Sequence, residues 1–192
     1  MDGWMRHQSG MTLVELMVTL VVLSIVIGIA IPSFRGMVLN NRITSQVNTI
    51  SGTIAFARSS ASKSPGASVS LCASSNGSSC SDSAKWENGW IVFKDIDGDA
   101  VVDADDEVLR VSSGLSGGNT LRVLGFSGAD SAISFDAEGM PRLPAGGSAA
   151  GTFIVCDERG AGSASALVVS GAGQVRTVRD GNDHAGNTVS CP

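Results

Sequence analysis

Tyrosine is absent from this 192-residue sequence, and aromatic residues account for only 5% of it. Histidine, the side chain most used for acid–base chemistry near neutral pH, occurs only at His7 and His184. The sequence also lacks a Walker phosphate loop and any Cys-x-x-Cys pair. The sequence therefore has few of the side chains and motifs that phosphoryl transfer or zinc chemistry requires. We therefore predict that the chain is not an enzyme and binds no cofactor.

Cationic residues are outnumbered as well. The chain has 13 Lys and Arg residues against 18 Asp and Glu residues, which gives a formal net charge of −5. Proteins that bind nucleic acid neutralise several phosphates with cations, so this balance disfavours DNA as a partner. Glycine and hydrophobic residues are plentiful instead, at 24 residues and 43%. This composition favours a loop-rich β domain with a packed core.

Residues 11–31 form a long hydrophobic run, in which Glu15 is the single charge. About 20 apolar residues, rising about 1.5 Å each, match the roughly 30 Å hydrocarbon core of a bilayer. Gly10 precedes the run, whereas the small-residue cleavage site of a secretory signal follows its apolar segment. Cleavage after Gly10 would leave the apolar helix on the mature protein. The alternative is an ordinary signal anchor.

The junction Gly10-Met-Thr-Leu-Val-Glu15 resembles the processing site of type IV prepilins and type II secretion pseudopilins. The resemblance implies that residues 1–10 are a leader and that a prepilin peptidase cuts after Gly10. It also implies that the new N-terminal residue, Met11, is N-methylated, although this class usually has phenylalanine there. Glu15 occupies the fifth position after the cut, where the class has a glutamate that acts in assembly.

Helical periodicity continues beyond Pro32. Apolar residues recur at intervals of three and four, at Ile43, Val47, Ile50, Ile54, Ala57 and Ala61, and Pro65-Gly66 ends the pattern. We predict one long helix over about 11–63, membrane-embedded over 11–31 and amphipathic beyond.

Residues 64–192 have the sequence pattern of a β-rich domain. The predicted strands are 68–73, 89–94, 107–111, 120–124, 132–136, 152–156, 166–170 and 174–178. No second long helical pattern occurs in the sequence. We therefore predict an α+β fold, with one antiparallel sheet or two small ones packed on the helix.

Taken together, the sequence resembles the GspH/FimT family of minor pilins and pseudopilins. Besides the leader junction, the matching segments are 30–34, 55–59, 90–95, 109–110, 133–139, 153–160 and 173–176. The resemblance implies a type IV pilin-like fold and a structural subunit that helps to prime or cap a type IV pilus or a type II secretion pseudopilus. It implies partnership with other pilin subunits, the prepilin peptidase, the inner-membrane assembly platform and the membrane. The implied location is the bacterial inner membrane, with a periplasmic globular domain, and then the filament.

The four cysteines, Cys72, Cys80, Cys156 and Cys191, all follow the apolar run, as expected of a domain exported to an oxidising compartment. Four cysteines allow three pairings, and four free thiols are the alternative. We favour Cys72–Cys80, which closes a short loop of small polar residues, and Cys156–Cys191, which ties down the C-terminus.

An acidic run extends from Asp95 to Asp106. It places carboxylates at alternate positions, as a calcium loop does, but Gly98 is fourth instead of sixth and Asp106 replaces the twelfth-position glutamate. No helical pattern flanks the run. We interpret it as a solvated hairpin tip between two strands, with calcium binding as the alternative.

A partial DNA-binding motif lies near the C-terminus. Competence minor pilins of this family bind DNA through a Gly-Arg-x-Arg motif, and the matching residues here are Gly173-Gln-Val-Arg176, without the first arginine. Arg179 follows three residues later. The alternative function is therefore a DNA-binding competence pilin, whereas we interpret Arg176 and Arg179 as solvated strand-edge residues.

Overall fold

The computed structural model describes residues 10–126, 132–143, 149–179 and 182–191. The predicted leader, except for Gly10, lies outside these residues, and so does His7. The internal contacts divide the chain into two units, residues 1–39 and 40–192.

Helix α1 spans Leu13–Ala61 and contains Pro32 without ending there. The prediction of 11–63 is two residues too long at each end. At the start, the Thr12 hydroxyl caps the helix, and at the end Lys63 and Ser64 make tighter backbone bonds to residues three earlier. One 18-residue stretch of α1 has a mean hydropathy of 2.7 and is wholly unburied, so it is long and apolar enough to cross a membrane.

Among the described residues, nine strands follow α1. They are β1 (Ser68–Ala73), β2 (Gly89–Asp95), β3 (Glu107–Ser113), β4 (Thr120–Gly125), β5 (Ala132–Phe135), β6 (Pro141–Arg142), β7 (Gly151–Cys156), β8 (Ser165–Val169) and β9 (Val175–Arg179). A 3₁₀ turn, Ala161–Ser163, precedes β8. All eight predicted strands are present with ends shifted by at most two residues, and only β6, a two-residue strand containing a proline, was missed.

The strands form two antiparallel sheets. Sheet A has the order β3-β2-β1-β5-β6, and sheet B has the order β4-β7-β8-β9. Together with α1, these sheets confirm the predicted α+β fold and the two-sheet alternative within it. β9 lies at one edge of sheet B, and it pairs with β8 in the register Ser165↔Arg179 to Val169↔Val175.

The predicted helical stripe forms one side of the core. Its six residues from Ile43 to Ala61 are at most 4% exposed, and they share one apolar cluster with side chains from both sheets. The Phe153 ring, on β7, packs edge-on against Trp86 at 5.3 Å between centroids and lies 5.7 Å from the centroid of Phe126. Burying one such large side chain contributes about 1.5–3 kcal/mol, so this cluster is the main stabilising feature of the second unit.

Two disulfides complete the second unit. They join Cys72 to Cys80 and Cys156 to Cys191, which are the pairs favoured from the sequence. Cys156 shares a small apolar cluster with Val189, so the last described segment lies against sheet B.

Candidate functional site

The start of α1 is the first candidate site. The Glu15 backbone N–H donates to Thr12 Oγ1 at 3.2 Å, and the Thr12 N–H donates to Glu15 Oε2 at 3.4 Å. This reciprocal pair is a capping box, which satisfies two N–H groups that the helix itself leaves open. The carboxylate is therefore held at the first turn of the helix, close in sequence to the candidate cleavage site.

The sequence prediction missed this capping box, although the Thr-x-x-Glu spacing was readable. Gly10 and Met11 precede the helix and are exposed, Met11 to 65%. The peptide bond between them therefore lies in non-helical, accessible backbone. Beyond it, the large apolar side chains of 13–31 are exposed to about half or more of their surface, which marks a surface made to be covered by lipid or protein.

The acidic run forms the second candidate site. It links β2 to β3 as the predicted hairpin tip, but Asp95 at its base is fully buried and not solvated. Asp95 Oδ2 accepts hydrogen bonds from Ser70 Oγ at 2.6 Å and Ala100 N at 3.0 Å, and Oδ1 accepts one from Gly98 N at 2.7 Å. Asp95 is thus the anchor of the loop, because its two oxygens accept hydrogen bonds both from β1 and from the loop backbone.

The remaining aspartates of the loop are exposed, except for the half-buried Asp106. Carboxylate oxygens of Asp95, Asp97 and Asp99 lie within 4.8 Å of one another. A backbone hydrogen bond from Asp99 lowers the pKa of Asp97, but desolvation and the neighbouring carboxylates outweigh it, so this pKa is raised. The loop is closed by its own hydrogen bonds, and its aspartates repel one another.

The third candidate site consists of Arg176 and Arg179 on β9, and these two side chains lie on opposite faces of the strand. Side chains alternate along a strand, so residues three apart point to opposite faces of sheet B. Both arginines are exposed, but Arg179 Nη2 donates to Thr44 Oγ1 on α1 at 2.9 Å. The strand-edge position was predicted correctly, whereas Arg179 is not simply solvated. The two guanidinium groups do not form one cationic patch of the kind that binds phosphates.

Near this edge, Arg159 makes an ion pair with Asp157, whose side chain is 1% exposed, and its Nη1 donates to Asn40 Oδ1 at 2.8 Å. Burial raises the pKa of Asp157, but hydrogen bonds from the Arg159 side chain and backbone outweigh it, so the pKa lies below its usual 3.8. Burial also raises the pKa of Asp136 and of Asp183, but hydrogen bonds to these carboxylates outweigh it, so both pKa values are lowered. A carboxyl whose pKa is lower in the folded state stabilises the fold while ionised, and this stability is lost as the pH falls through the folded pKa.

We expect Asp157→Asn to lower the unfolding free energy by about 1 kcal/mol at neutral pH, because it removes charge-assisted hydrogen bonds to Arg159. Since protonated aspartic acid and asparagine are both neutral, this difference should shrink towards zero well below pH 3.8. Denaturant unfolding of the oxidised full-length chain, at neutral pH and at a pH well below 3.8, measures the difference in unfolding free energy between the wild type and the variant. A difference that stays constant with pH would contradict the ion-pair explanation.

One segment has the Gly-x-Ser-x-Gly pattern of serine hydrolases but not the backbone geometry of their nucleophile. Residues 114–118 read Gly-Leu-Ser-Gly-Gly. They connect β3 to β4, whereas the nucleophile of such hydrolases sits on a strand-to-helix turn. The Ser116 carbonyl accepts a hydrogen bond from the Gln46 amide at 3.0 Å, so this loop supports α1.

Comparison with known proteins agrees with this architecture. The family model of type II transport protein GspH matches residues 46–173, and the prokaryotic N-terminal methylation motif matches residues 5–31. No curated protein sequence gives a significant match. Among solved structures, the type IV minor pilin FimU of Pseudomonas aeruginosa PAO1 in space group P21 is similar, with a TM-score of 0.53 and 20% identity over 72% of this chain and 89% of that one. The same pilin in space group P65 gives a TM-score of 0.49 and 20% identity over 70% of this chain and 91% of that one.

The FimU likeness supports the pilin fold alone, whereas the GspH match covers more than half of the sequence. The exposed apolar helix that carries the methylation motif indicates membrane anchoring of a globular domain. Membership of a family of structural subunits agrees with the prediction that the chain is not an enzyme and implies association with other pilin subunits. The chain belongs to the GspH/FimT family of type IV minor pilins and pseudopilins.

Proposed function

We propose that this chain is a structural minor pilin or pseudopilin that is incorporated into a type IV pilus or a type II secretion pseudopilus and helps to prime or cap its assembly. The observation that carries the proposal is the N-terminal unit. It presents an exposed apolar helix whose charged residue at the first turn, Glu15, is fixed by Thr12 directly after the candidate processing site.

The proposed maturation begins at Gly10. A prepilin peptidase cuts the exposed bond between Gly10 and Met11, and the new amine of Met11 is methylated. The apolar part of α1 holds the subunit in the bacterial inner membrane. The domain beyond it lies in the periplasm, which is oxidising and so preserves the disulfides Cys72–Cys80 and Cys156–Cys191.

The proposed docking step uses Glu15. A carboxylate among lipid-facing side chains is costly unless it is paired. The capping box supplies one N–H partner within the chain, but no cation. The terminal amine of Met11 on a neighbouring subunit supplies the missing positive charge, and this pair fixes the position of one subunit against the next. The assembly platform of the inner membrane delivers the subunit to the filament.

We expect processing to depend on Gly10. When the full-length chain is produced with a prepilin peptidase, mass spectrometry should find a mature protein that begins with methylated Met11. Gly10→Val should abolish the cut, because a branched side chain then occupies the position that the class keeps free of one. Met11→Phe, which restores the usual residue of the class, should be processed normally. A mature N-terminus at Met1, or loss of the apolar helix, would contradict the pilin assignment.

A further inference from the structure

A polar hollow of about 170 Å³ lies between α1 and the edge of sheet B where β8 begins and β9 ends. It belongs wholly to the second unit, and its lining includes the side chains of Asn40, Thr44, Ser163, Ser165 and Arg179. Ser165 and Arg179 are directly opposite each other in the register of β8 and β9. Both side chains therefore lie on the same face of sheet B, the one that α1 covers.

The polar hollow contains hydroxyl groups that the described residues do not use. Ser165 is only 3% exposed, yet neither its hydroxyl nor that of Ser163 makes a hydrogen bond within the described ranges of the chain. A buried hydroxyl without a partner costs free energy, and buried polar groups are almost always hydrogen-bonded. The Ser165 hydroxyl therefore needs a partner from outside this part of the chain.

Arg179 supplies the charge of the hollow. Its Nη2 donates to Thr44 Oγ1 at 2.9 Å, and the Thr44 hydroxyl donates to the Asn40 carbonyl at 2.9 Å, so the guanidinium is held in place. Arg159, which donates to Asn40 Oδ1, is already neutralised by its ion pair with Asp157. Among the described residues, no carboxylate contacts Arg179, and its other N–H groups make no hydrogen bond.

An oxyanion with several acceptor oxygens matches this arrangement. A guanidinium binds phosphates and carboxylates through paired N–H groups, and the two serine hydroxyls donate to further oxygens. A water molecule takes up about 30 Å³ of the liquid, so the hollow holds a group of several heavy atoms. A phosphate has enough oxygens for all three side chains, whereas a carboxylate has two. One phosphate also needs fewer cations than DNA, which presents a row of them.

The sequence position of Asn40 places the hollow close to a membrane surface. Exposed large apolar side chains continue along α1 beyond Ile31, the predicted end of the membrane span, to Phe34, Met37 and Val38. Asn40 follows Val38 by two residues, which is at most about 7 Å of chain in any orientation of the two units. The headgroup region of each leaflet is about 5–8 Å thick. A phospholipid headgroup is therefore the source of phosphate that this location favours.

We propose that the polar hollow binds the headgroup phosphate of an anionic phospholipid. Arg179 donates to two phosphate oxygens, and Ser163 and Ser165 donate to the others. This contact holds the first part of the second unit at the membrane surface while the chain is anchored there. The proposal rests on membrane anchoring and not on the proposed filament role.

Titration calorimetry of the oxidised full-length chain in mild detergent tests the site with three probes. Phosphatidylglycerol carries both the phosphate and the acyl chains, diacylglycerol with the same acyl chains lacks the phosphate, and inorganic phosphate lacks the acyl chains. We expect phosphatidylglycerol to bind, and each of the other two probes to bind about tenfold more weakly or less. The first comparison isolates the phosphate, and the second separates a lipid headgroup from free phosphate.

Two variants show whether the binding takes place in the hollow. Arg179→Gln should weaken phosphatidylglycerol binding about tenfold or more, because it removes the charge and the paired N–H groups, and Ser165→Ala should weaken it about threefold or more by removing one hydroxyl. Arg176→Gln is the matched control, because it makes the same charge change on the opposite face of β9 and should bind like the wild type. Circular dichroism and thiol labelling establish that each variant is folded and oxidised.

Several results would overturn the proposal. Wild-type binding by Arg179→Gln or Ser165→Ala would mean that the hollow is not the site, and an equal loss in Arg176→Gln would mean that only the overall charge matters. Equally tight binding of diacylglycerol would show that the phosphate is not recognised. Equally tight binding of inorganic phosphate would show that the site takes free phosphate instead of a lipid. These measurements do not depend on filament assembly, so their failure is separable from failure of the proposed function.

Discussion

Glu15→Ala should leave cleavage after Gly10 near the wild-type level and reduce the amount of the subunit in sheared filaments by about tenfold or more. Removing one partner of a low-dielectric ion pair leaves the other charge buried and unpaired, which costs several kcal/mol, and each 1.4 kcal/mol corresponds to about tenfold in an equilibrium. Immunoblots of membrane and sheared fractions measure incorporation, and mass spectrometry measures cleavage. The processed variant should accumulate in the membrane fraction.

The capping box makes a sharper control available. Glutamine serves as well as glutamate at this position of a capping box, so Glu15→Gln keeps the helix start and removes only the charge. Thr12→Ala does the opposite, because it weakens the cap at a cost of about 1 kcal/mol and keeps the carboxylate. If the ion pair docks the subunit, Glu15→Gln fails like Glu15→Ala and Thr12→Ala is incorporated. Normal incorporation of Glu15→Gln would show that the charge is not what docks it.

Phe153→Ala should lower the unfolding free energy of the second unit by about 3–5 kcal/mol, the range expected when a buried aromatic side chain is truncated. Phe153 is fully buried on β7, and its ring contacts both Trp86 and Phe126, so truncation leaves a cavity and removes two aromatic contacts. Denaturant unfolding of the oxidised full-length chain, followed by tryptophan fluorescence, measures the loss. Trp86 reports the change directly.

A neighbouring position provides the control for this substitution. Leu124 lies on β4, which pairs with β7, but it is 38% exposed. Leu124→Ala should therefore cost much less than Phe153→Ala, because little buried volume is lost. Equal losses at the two positions would mean that Phe153 is not central to the core.

The architecture was readable from the sequence because burial follows the period of each element. Spacings of three and four residues identified the helical stripe from Ile43 to Ala61, and short runs of β-forming residues identified eight strands. The missed strand, β6, is only two residues long and contains Pro141, so it has no period to detect. Its pairing with β5 depends on the fold around it.

The sites were harder to read because they depend on partners distant in sequence. Asp95 resembles its acidic neighbours in the sequence, yet Ser70 of β1, twenty-five positions earlier, helps to make it a buried anchor. Arg179 contacts Thr44, which lies 135 positions away. The Thr12–Glu15 capping box, by contrast, is local, and its spacing alone would have sufficed to predict it.

The bond between Cys156 and Cys191 also has a mechanical consequence. It closes a segment of 35 residues that contains β8 and β9. If the chain were pulled at its C-terminal end, an open segment of that length would extend by up to about 120 Å, at roughly 3.5 Å per residue. The covalent bond removes this slack, so a pull on the C-terminal end is transmitted directly to β7, and β9 and then β8 cannot be peeled from sheet B one after the other.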